Sequence, residues 1–364
     1  MNNTQVQNSF SFQIQDDINF LINKVHNSNT PDDLKEEILR RIARMVKTAQ
    51  FGGFSAEYES VTKYIDWVTS IPWGKYTEDR LDLVEVKKIL DKHNYGMERV
   101  KDRVLEYIST MKLKMEMEHS NIVRGPVMCF VGLQGIGKTS FAKAIGEALG
   151  RKTIRIAMGG LGTTQELRGK PKTSPDGEPG QIIKGLIKAG SMNPVIILDE
   201  IDKVSGNASL RSDFMAILLE ILDPEQNMAF RDHYIDYPVD LSAVFFICTA
   251  NNLGTISAAL LDRLEVIRLY SYTDEEKVMI GKYYVLPQIM KELGLTNEMM
   301  EITDDAWITI VRPLGYDSGI RQLKRNLYSI CRKIAKIIVL GKAKKIVITP
   351  NNAKSFIDES GDMV

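Results

Sequence analysis

Val127-Met-Cys-Phe-Val131-Gly132-Leu-Gln-Gly135-Ile136-Gly137-Lys138-Thr139-Ser140 is the stretch that decides the fold. An apolar run enters a glycine-rich loop, and Phe141, Ala142, Ile145 and Leu149 then recur at helical spacing. The loop fits G-x-x-x-x-G-K-[ST] in the strand–loop–helix setting that this motif needs. Glycines let backbone N–H groups curl around phosphates, and the start of the next helix adds positive field. The pattern therefore predicts an ATP and Mg2+ site. Gly132, Gly135, Ile136, Gly137 and Ser140 form its cradle, Lys138 reaches the β- and γ-phosphates, and Thr139 ligates the metal.

Outward from the loop, further apolar runs alternate with helical patterns. Val127–Val131, Thr153–Ala157, Val195–Leu198, Val244–Thr249 and Val266–Leu269 read as strands, mostly continuous rather than alternating. Such runs suit strands buried on both faces, so the expectation is an α/β fold with a parallel sheet between helices. Val195-Ile-Ile-Leu-Asp199-Glu200 ends one strand in two acids. Asp199 joins Thr139 in the metal shell, and Glu200 activates the attacking water. Asn251, after Phe245-Phe-Ile-Cys-Thr249, is placed to position that water, although Asn after a strand is often just a turn. Arg263 in Leu260-Leu-Asp-Arg263, and Arg321 closing Gly315-Tyr-Asp-Ser-Gly-Ile-Arg321, gain meaning from following the two acidic and phosphate motifs in order.

Composition excludes several classes. In 364 residues, Lys+Arg and Asp+Glu are both 47, so a basic nucleic-acid footprint is absent overall. The cluster Arg332, Lys333, Lys336, Lys342, Lys344 and Lys345 reads as a solvated helix face. Three scattered cysteines form no disulfide framework or zinc spacing. The start of the chain has no signal-peptide core, and no apolar run is long enough to span a membrane. The expectation is a soluble, cytoplasmic protein. It divides into a flexible start over 1–12, a helical unit over 13–75, an α/β part over 76–270, a helical part over 271–350 and a tail over 351–364.

The motif order resembles the AAA+ ATPases, and the detail resembles the ATPase part of the Lon protease family. Leu198-Asp-Glu-Ile-Asp-Lys203 and Leu218-Leu-Glu-Ile-Leu-Asp-Pro-Glu-Gln-Asn227 carry most of the likeness. Glu166-Leu-Arg-Gly169 and Ile71-Pro-Trp-Gly-Lys-Tyr-Thr-Glu-Asp-Arg-Leu-Asp82 add to it. The resemblance implies a C-terminal helical lid and a homo-oligomeric ring, taken as a hexamer, with ATP between subunits. It makes Arg263 the arginine finger offered to a neighbour, Arg321 the second sensor acting in cis, and Asn251 the first sensor. It also places Tyr95 and Gly96 at the adenine.

Two departures stand out. Nothing up to Val364 matches the Ser–Lys proteolytic domain of Lon, so proteolysis by this chain alone is not expected. After Arg168-Gly169, the family's gripping aromatic–aliphatic pair is replaced by Ser174 and Pro175, followed by Asp176, Gly177 and Glu178. These offer little apolar area to an unfolded chain. A short insertion around Gly206–Ser209 alters a second pore segment. The reading is an ATP-driven remodeller or regulator of an unidentified protein partner. The alternatives are a nucleotide-gated scaffold and the ATPase fragment of an ATP-dependent protease.

Overall fold

The structure is a computed structural model describing residues 16–49, 54–118, 125–204, 208–312 and 319–357. Among the described residues seven strands precede the lid: β1 (Met128–Val131), β2 (Thr153–Ala157), β3 (Val195–Asp199), β4 (Phe230–Arg231), β5 (Pro238–Val239), β6 (Phe245–Ala250) and β7 (Glu265–Arg268). Five of them form one parallel sheet in the order β2-β3-β6-β1-β7. The remaining two, β4 and β5, form a small antiparallel pair. All five strands expected from the sequence are present, with ends shifted by a residue or so.

Side-chain alternation splits the sheet residues between two cores. Cys129, Val131, Ile196, Leu198, Phe246 and Cys248 face one side, and Met128, Phe130, Val195, Ile197, Phe245 and Ile247 face the other. The central strands β1, β3 and β6 are buried throughout. Burial on both faces fails at the edges, where only Ile156 of β2 and Ile267 of β7 are fully buried. An edge strand has one lateral neighbour, so part of its surface stays wet.

Helices preceding the sheet are α1 (residues 16–27), α2 (Asp32–Ala49), α3 (Phe54–Ser70), α4 (Leu83–His93) and α5 (Glu98–Glu118). The helix after the phosphate loop is α6 (Lys138–Ala148), which packs with α4 and α5 on the Phe130 side. On the other side lie α7 (Thr164–Arg168), α8 (Gln181–Ala189) and α9 (Ala208–Leu222). The helical unit read at 13–75 does not have a separate core. Its Val25, Leu34, Ile38 and Ile65 belong to the same apolar cluster as Leu186, Leu198 and Leu218. Tyr64 seals the join by donating its hydroxyl to the Ile235 carbonyl at 3.0 Å. A buried ion pair ties the following segment to the sheet side. Arg151 grips Asp79 with two bonds of 2.6 Å and donates to the Ala243 carbonyl at 2.8 Å.

The lid follows α10 (Ala258–Leu261) and β7. It comprises α11 (Asp274–Ile280), α12 (Leu286–Leu293), β8 (Met300–Ile302), α13 (Ala306–Val311), α14 (Arg321–Val339), β9 (Ile346–Ile348) and α15 (Pro350–Phe356). Its core gathers Trp307, Ile310, Leu327 and Ile330. Ile346-Val347-Ile348, the strand β9, pairs in parallel with β8. The segment read as a tail from 351 is helical as far as Phe356, with Ala353 buried in the lid core. The start over 1–12 and the glycines at 206 and 315 lie outside the described residues.

Candidate functional site

The phosphate loop takes its shape from its glycines. Gly135 and Gly137 have φ of +81° and +95°, which side-chain-bearing residues adopt only with strain. At Gly132 a Cβ would stand 2.4 Å from the Ile136 side chain and 2.5 Å from the Leu269 carbonyl. Ile136 is buried, so its side chain anchors the loop and only its backbone is left for a ligand. Lys138 curls over the loop and donates to the carbonyls of Gly132 (2.6 Å) and Leu133 (2.9 Å) and to Asn251 Oδ1 (2.9 Å). Burial holds its ammonium below the ordinary lysine range, against the pull of Asp202, Asp199 and Glu200.

Beneath the loop, Asp199 ends β3. Its Oδ1 accepts from Thr249 (2.5 Å) and Thr139 (3.0 Å), and its Oδ2 accepts from Arg155 Nε (2.6 Å). Burial disfavours its charge, yet these three bonds outweigh that and hold the carboxyl below the usual carboxylate range. Glu200 has φ of +59°, a left-handed conformation that costs about 1–2 kcal/mol. Its N–H donates to the Thr249 hydroxyl at 2.9 Å, which helps hold that turn. Its carboxylate is paired with Lys203 at 2.7 Å.

These groups line one cavity of about 460 Å³ with Gly135, Gly137, Ser140, Asn251 and Arg321. Among the described residues its cationic lining is Lys138, Lys143, Arg155, Arg321 and Lys324, against the carboxylates of Asp199 and Glu200, so that lining favours a polyanion. Asn251 Nδ2 is buried and has no partner among the described residues. An unpaired buried donor is costly, and a phosphate oxygen or a water beside it would satisfy it. The Thr139 hydroxyl and the Asp199 carboxylate form an oxygen donor set that suits Mg2+. The residues therefore fit a nucleoside triphosphate with its ion.

The lid is joined to the loop by its backbone. Ile320 N–H donates to the Gly135 carbonyl at 2.9 Å, and a Cβ at Gly319 would lie 2.7 Å from the Gln134 carbonyl. That contact delivers Arg321, at the first turn of α14, to the cavity. Arg263 is not among the lining residues; it is half exposed and pairs with Asp223 at 3.0 Å. Tyr95 and Gly96 also lie outside the cavity lining, with Tyr95 set edge-on to Tyr284 at 6.2 Å. The adjacent Met97 meets the Tyr272 hydroxyl at 3.8 Å. Sequence reasoning missed Lys143, Lys324 and above all Arg155. An arginine amid the apolar residues Ile154 and Ile156 was the available signal.

The loop where the gripping pair was expected is closed on itself. Lys170 N–H donates to the Glu178 carbonyl (2.9 Å), Ser174 N–H to Pro171 (3.0 Å) and Gly177 N–H to Ser174 (2.9 Å). Lys170 pairs with Asp176 at 2.5 Å and Lys184 with Glu178 at 2.9 Å. Lys63 of α3 donates to the Gly177 carbonyl at 2.8 Å. At the base, buried Asp232 accepts from the amides of Gly180 (2.7 Å), Tyr234 (2.8 Å) and Ile235 (3.1 Å).

Comparison with known proteins agrees with this architecture. The ATPase family associated with various cellular activities (AAA) matches residues 128–272, and the Lon protease AAA+ ATPase lid domain matches 291–347. Lon protease 1 of Bacillus subtilis (strain 168) is 43% identical over 341 residues, covering 94% of this chain and 43% of that protein. The Lon protease of Dictyoglomus thermophilum is also 43% identical, over 94% of this chain and 42% of its own length. The chain thus spans about two-fifths of these curated relatives, and the match covers no protease domain. Among the described residues no helix is long and apolar enough to cross a membrane. The chain belongs to the AAA+ ATPases, carries a Lon-type lid, and is homologous to Lon proteases over nearly all of its length.

Proposed function

We propose that the chain hydrolyses ATP with Mg2+ in a homo-oligomeric ring, taken as a hexamer in the cytoplasm. Turnover then drives remodelling or regulation of a protein partner. The observation that carries this reading is the convergence of Lys138, Thr139, Asp199, Glu200, Asn251 and Arg321 on one cavity, while Arg263 stays outside it. A residue held away from its own cavity on a half-exposed side chain suits action on a neighbour's nucleotide. Mg2+, when bound, would supply charge neutralisation at the phosphates. The chain's own residues supply the rest. Loop amides hold the phosphates, and Thr139 and Asp199 hold the ion. Glu200 leaves Lys203 and takes the proton of the attacking water, while Asn251 Nδ2 fixes that water or a phosphate oxygen. Arg321 couples the lid to nucleotide state, and Tyr95 and Gly96 border the base.

The self-closed loop at 169–180 supports a partner engaged by its folded surface rather than an unfolded chain gripped in the pore. The same feature favours a second reading, a nucleotide-gated scaffold with slow turnover. The test measures ATP turnover with and without an unfolded protein, beside sizing in ATP. The expected result is a ring whose turnover ignores the unfolded protein and collapses in Glu200→Gln. Unchanged turnover in Glu200→Gln would overturn the mechanism. Several-fold stimulation by unfolded protein would overturn the assignment of the loop.

A further inference from the structure

Arg155 is the cation of this site that neither its motifs nor its resemblance assigns. It sits on β2, whose register pairs Arg155 with Ile197 and Ala157 with Asp199. Side chains of paired residues share a face, so Arg155 and Asp199 lie on one side of the sheet, two residues apart along neighbouring strands. That is the face covered by α6, the helix that starts at the phosphate loop. From there the long side chain runs toward the carboxyl ends of the strands, where the loop lies, and its Nε meets Asp199 Oδ2 at 2.6 Å.

Only part of the guanidinium is used by that bond. Arginine carries five N–H donors in a planar fork, and Asp199 takes the one on Nε. Among the described residues the two terminal nitrogens have no hydrogen-bond partner, the side chain is 47% exposed, and the residue lines the cavity. The same carboxylate accepts from Thr139 at 3.0 Å through its other oxygen. One carboxylate therefore separates Arg155 from the Thr139 hydroxyl, which with Asp199 would hold the ion. Lys138, by contrast, already donates to three acceptors.

We propose that Arg155 is a cis ligand of the terminal phosphate, aimed by its bond to Asp199 and therefore reading whether the third phosphate is present. The proposal rests on the nucleotide reading above. Asp199 keeps the Nε bond as a fixed hinge, and the Nη donors take two oxygens of the γ-phosphate, the fork geometry that suits arginine. A diphosphate leaves those donors empty. Arg155 thus adds discrimination for the triphosphate within one chain, separate from anything a neighbouring subunit offers.

The test compares equilibrium binding of ADP and of a non-hydrolysable ATP analogue, each with Mg2+ and with the metal chelated, in the full chain and in Arg155→Ala and Arg155→Lys. Wild type should bind both nucleotides, and its failure to bind either would remove the nucleotide reading together with this proposal. Arg155→Ala should lose roughly tenfold or more for the triphosphate and about twofold or less for ADP. The loss should persist without metal, and Arg155→Lys should recover part of it because a point charge replaces the fork. Equal losses for both nucleotides in either variant would overturn the proposal and leave the nucleotide reading intact. So would a loss seen only with Mg2+, since Arg155 would then act through the metal carboxylate. Thermal melting of both variants separates these outcomes from unfolding, and Arg155→Lys carries the comparison if Arg155→Ala does not fold.

Discussion

The phosphate loop at 132–139 and the loop at 169–180 both turn on glycines, and they spend their polar groups in opposite ways. Among the described residues the amides of Gln134, Gly135, Ile136 and Gly137 donate to nothing. In the second loop the amides of Lys170, Ser174, Gly177 and Gly180 all have acceptors, and its charges are paired. A loop with open donors is a binding site awaiting an anion. A loop closed by bonds among its own residues is a shape. The first leaves its amides open toward the cavity, and the second is closed by its own hydrogen bonds and ion pairs.

The sharpest way to break the contrast is to disable the open loop's chemistry while leaving its binding. Glu200→Gln should lower ATP turnover by about 10²–10⁴-fold, because it removes the proposed base. Arg263→Ala should lower it by about 10³-fold or more if the finger acts across subunits. Nucleotide affinity, measured by titration, should stay within about threefold in both, because neither side chain belongs to the loop that holds the phosphates. A parallel collapse of affinity would show that the two acidic and basic groups shape the cradle itself.

A smaller effect lies at the base of the closed loop. Asp232 is fully buried and serves three amides, so Asp232→Ala leaves three buried donors without an acceptor. Denaturant unfolding should show a loss of about 3–5 kcal/mol. Asp232→Asn keeps one acceptor oxygen and should lose less. Next in size, Ser174→Tyr with Pro175→Val restores apolar area at the expected gripping positions. It should raise stimulation of turnover by unfolded protein by no more than a few-fold, because the ion pairs and the Lys63 bond still hold the loop shut.

Much of this contrast was legible in the residues. Val127–Thr139 disclosed a strand, a loop and a helix because its local chemistry and its periodicity agree. Ser174 and Pro175 were equally visible, but the closure of the loop was not, since it draws in part on Lys63, 114 positions before the Gly177 carbonyl that it holds. Arg155 was missed for a related reason. Its meaning depends on the register of β2 against β3, which decides that it shares a face with Asp199. The strand Met300–Ile302 escaped because three residues carry too little period to be read alone, and its partner begins at Ile346. Long-range pairing is what local patterns omit.

The smallest effect concerns what closes the second loop. Lys170 and Asp176 form an exposed pair, and exposed pairs contribute little and are screened by salt. The main chain makes the same closure independently, through Lys170 to Glu178, Ser174 to Pro171 and Gly177 to Ser174. At Gly177 a Cβ would stand 2.6 Å from the Pro171 carbonyl, so the turn admits glycine and excludes larger residues without a backbone shift. Lys170→Gln should therefore leave the rate of tryptic cleavage after Lys172 nearly unchanged, at low and high salt alike. Gly177→Ala should raise that rate several-fold, because it forces the turn open while every charge stays in place. The opposite ranking would mean that ion pairs hold the loop, and that a charge on the partner is enough to release it.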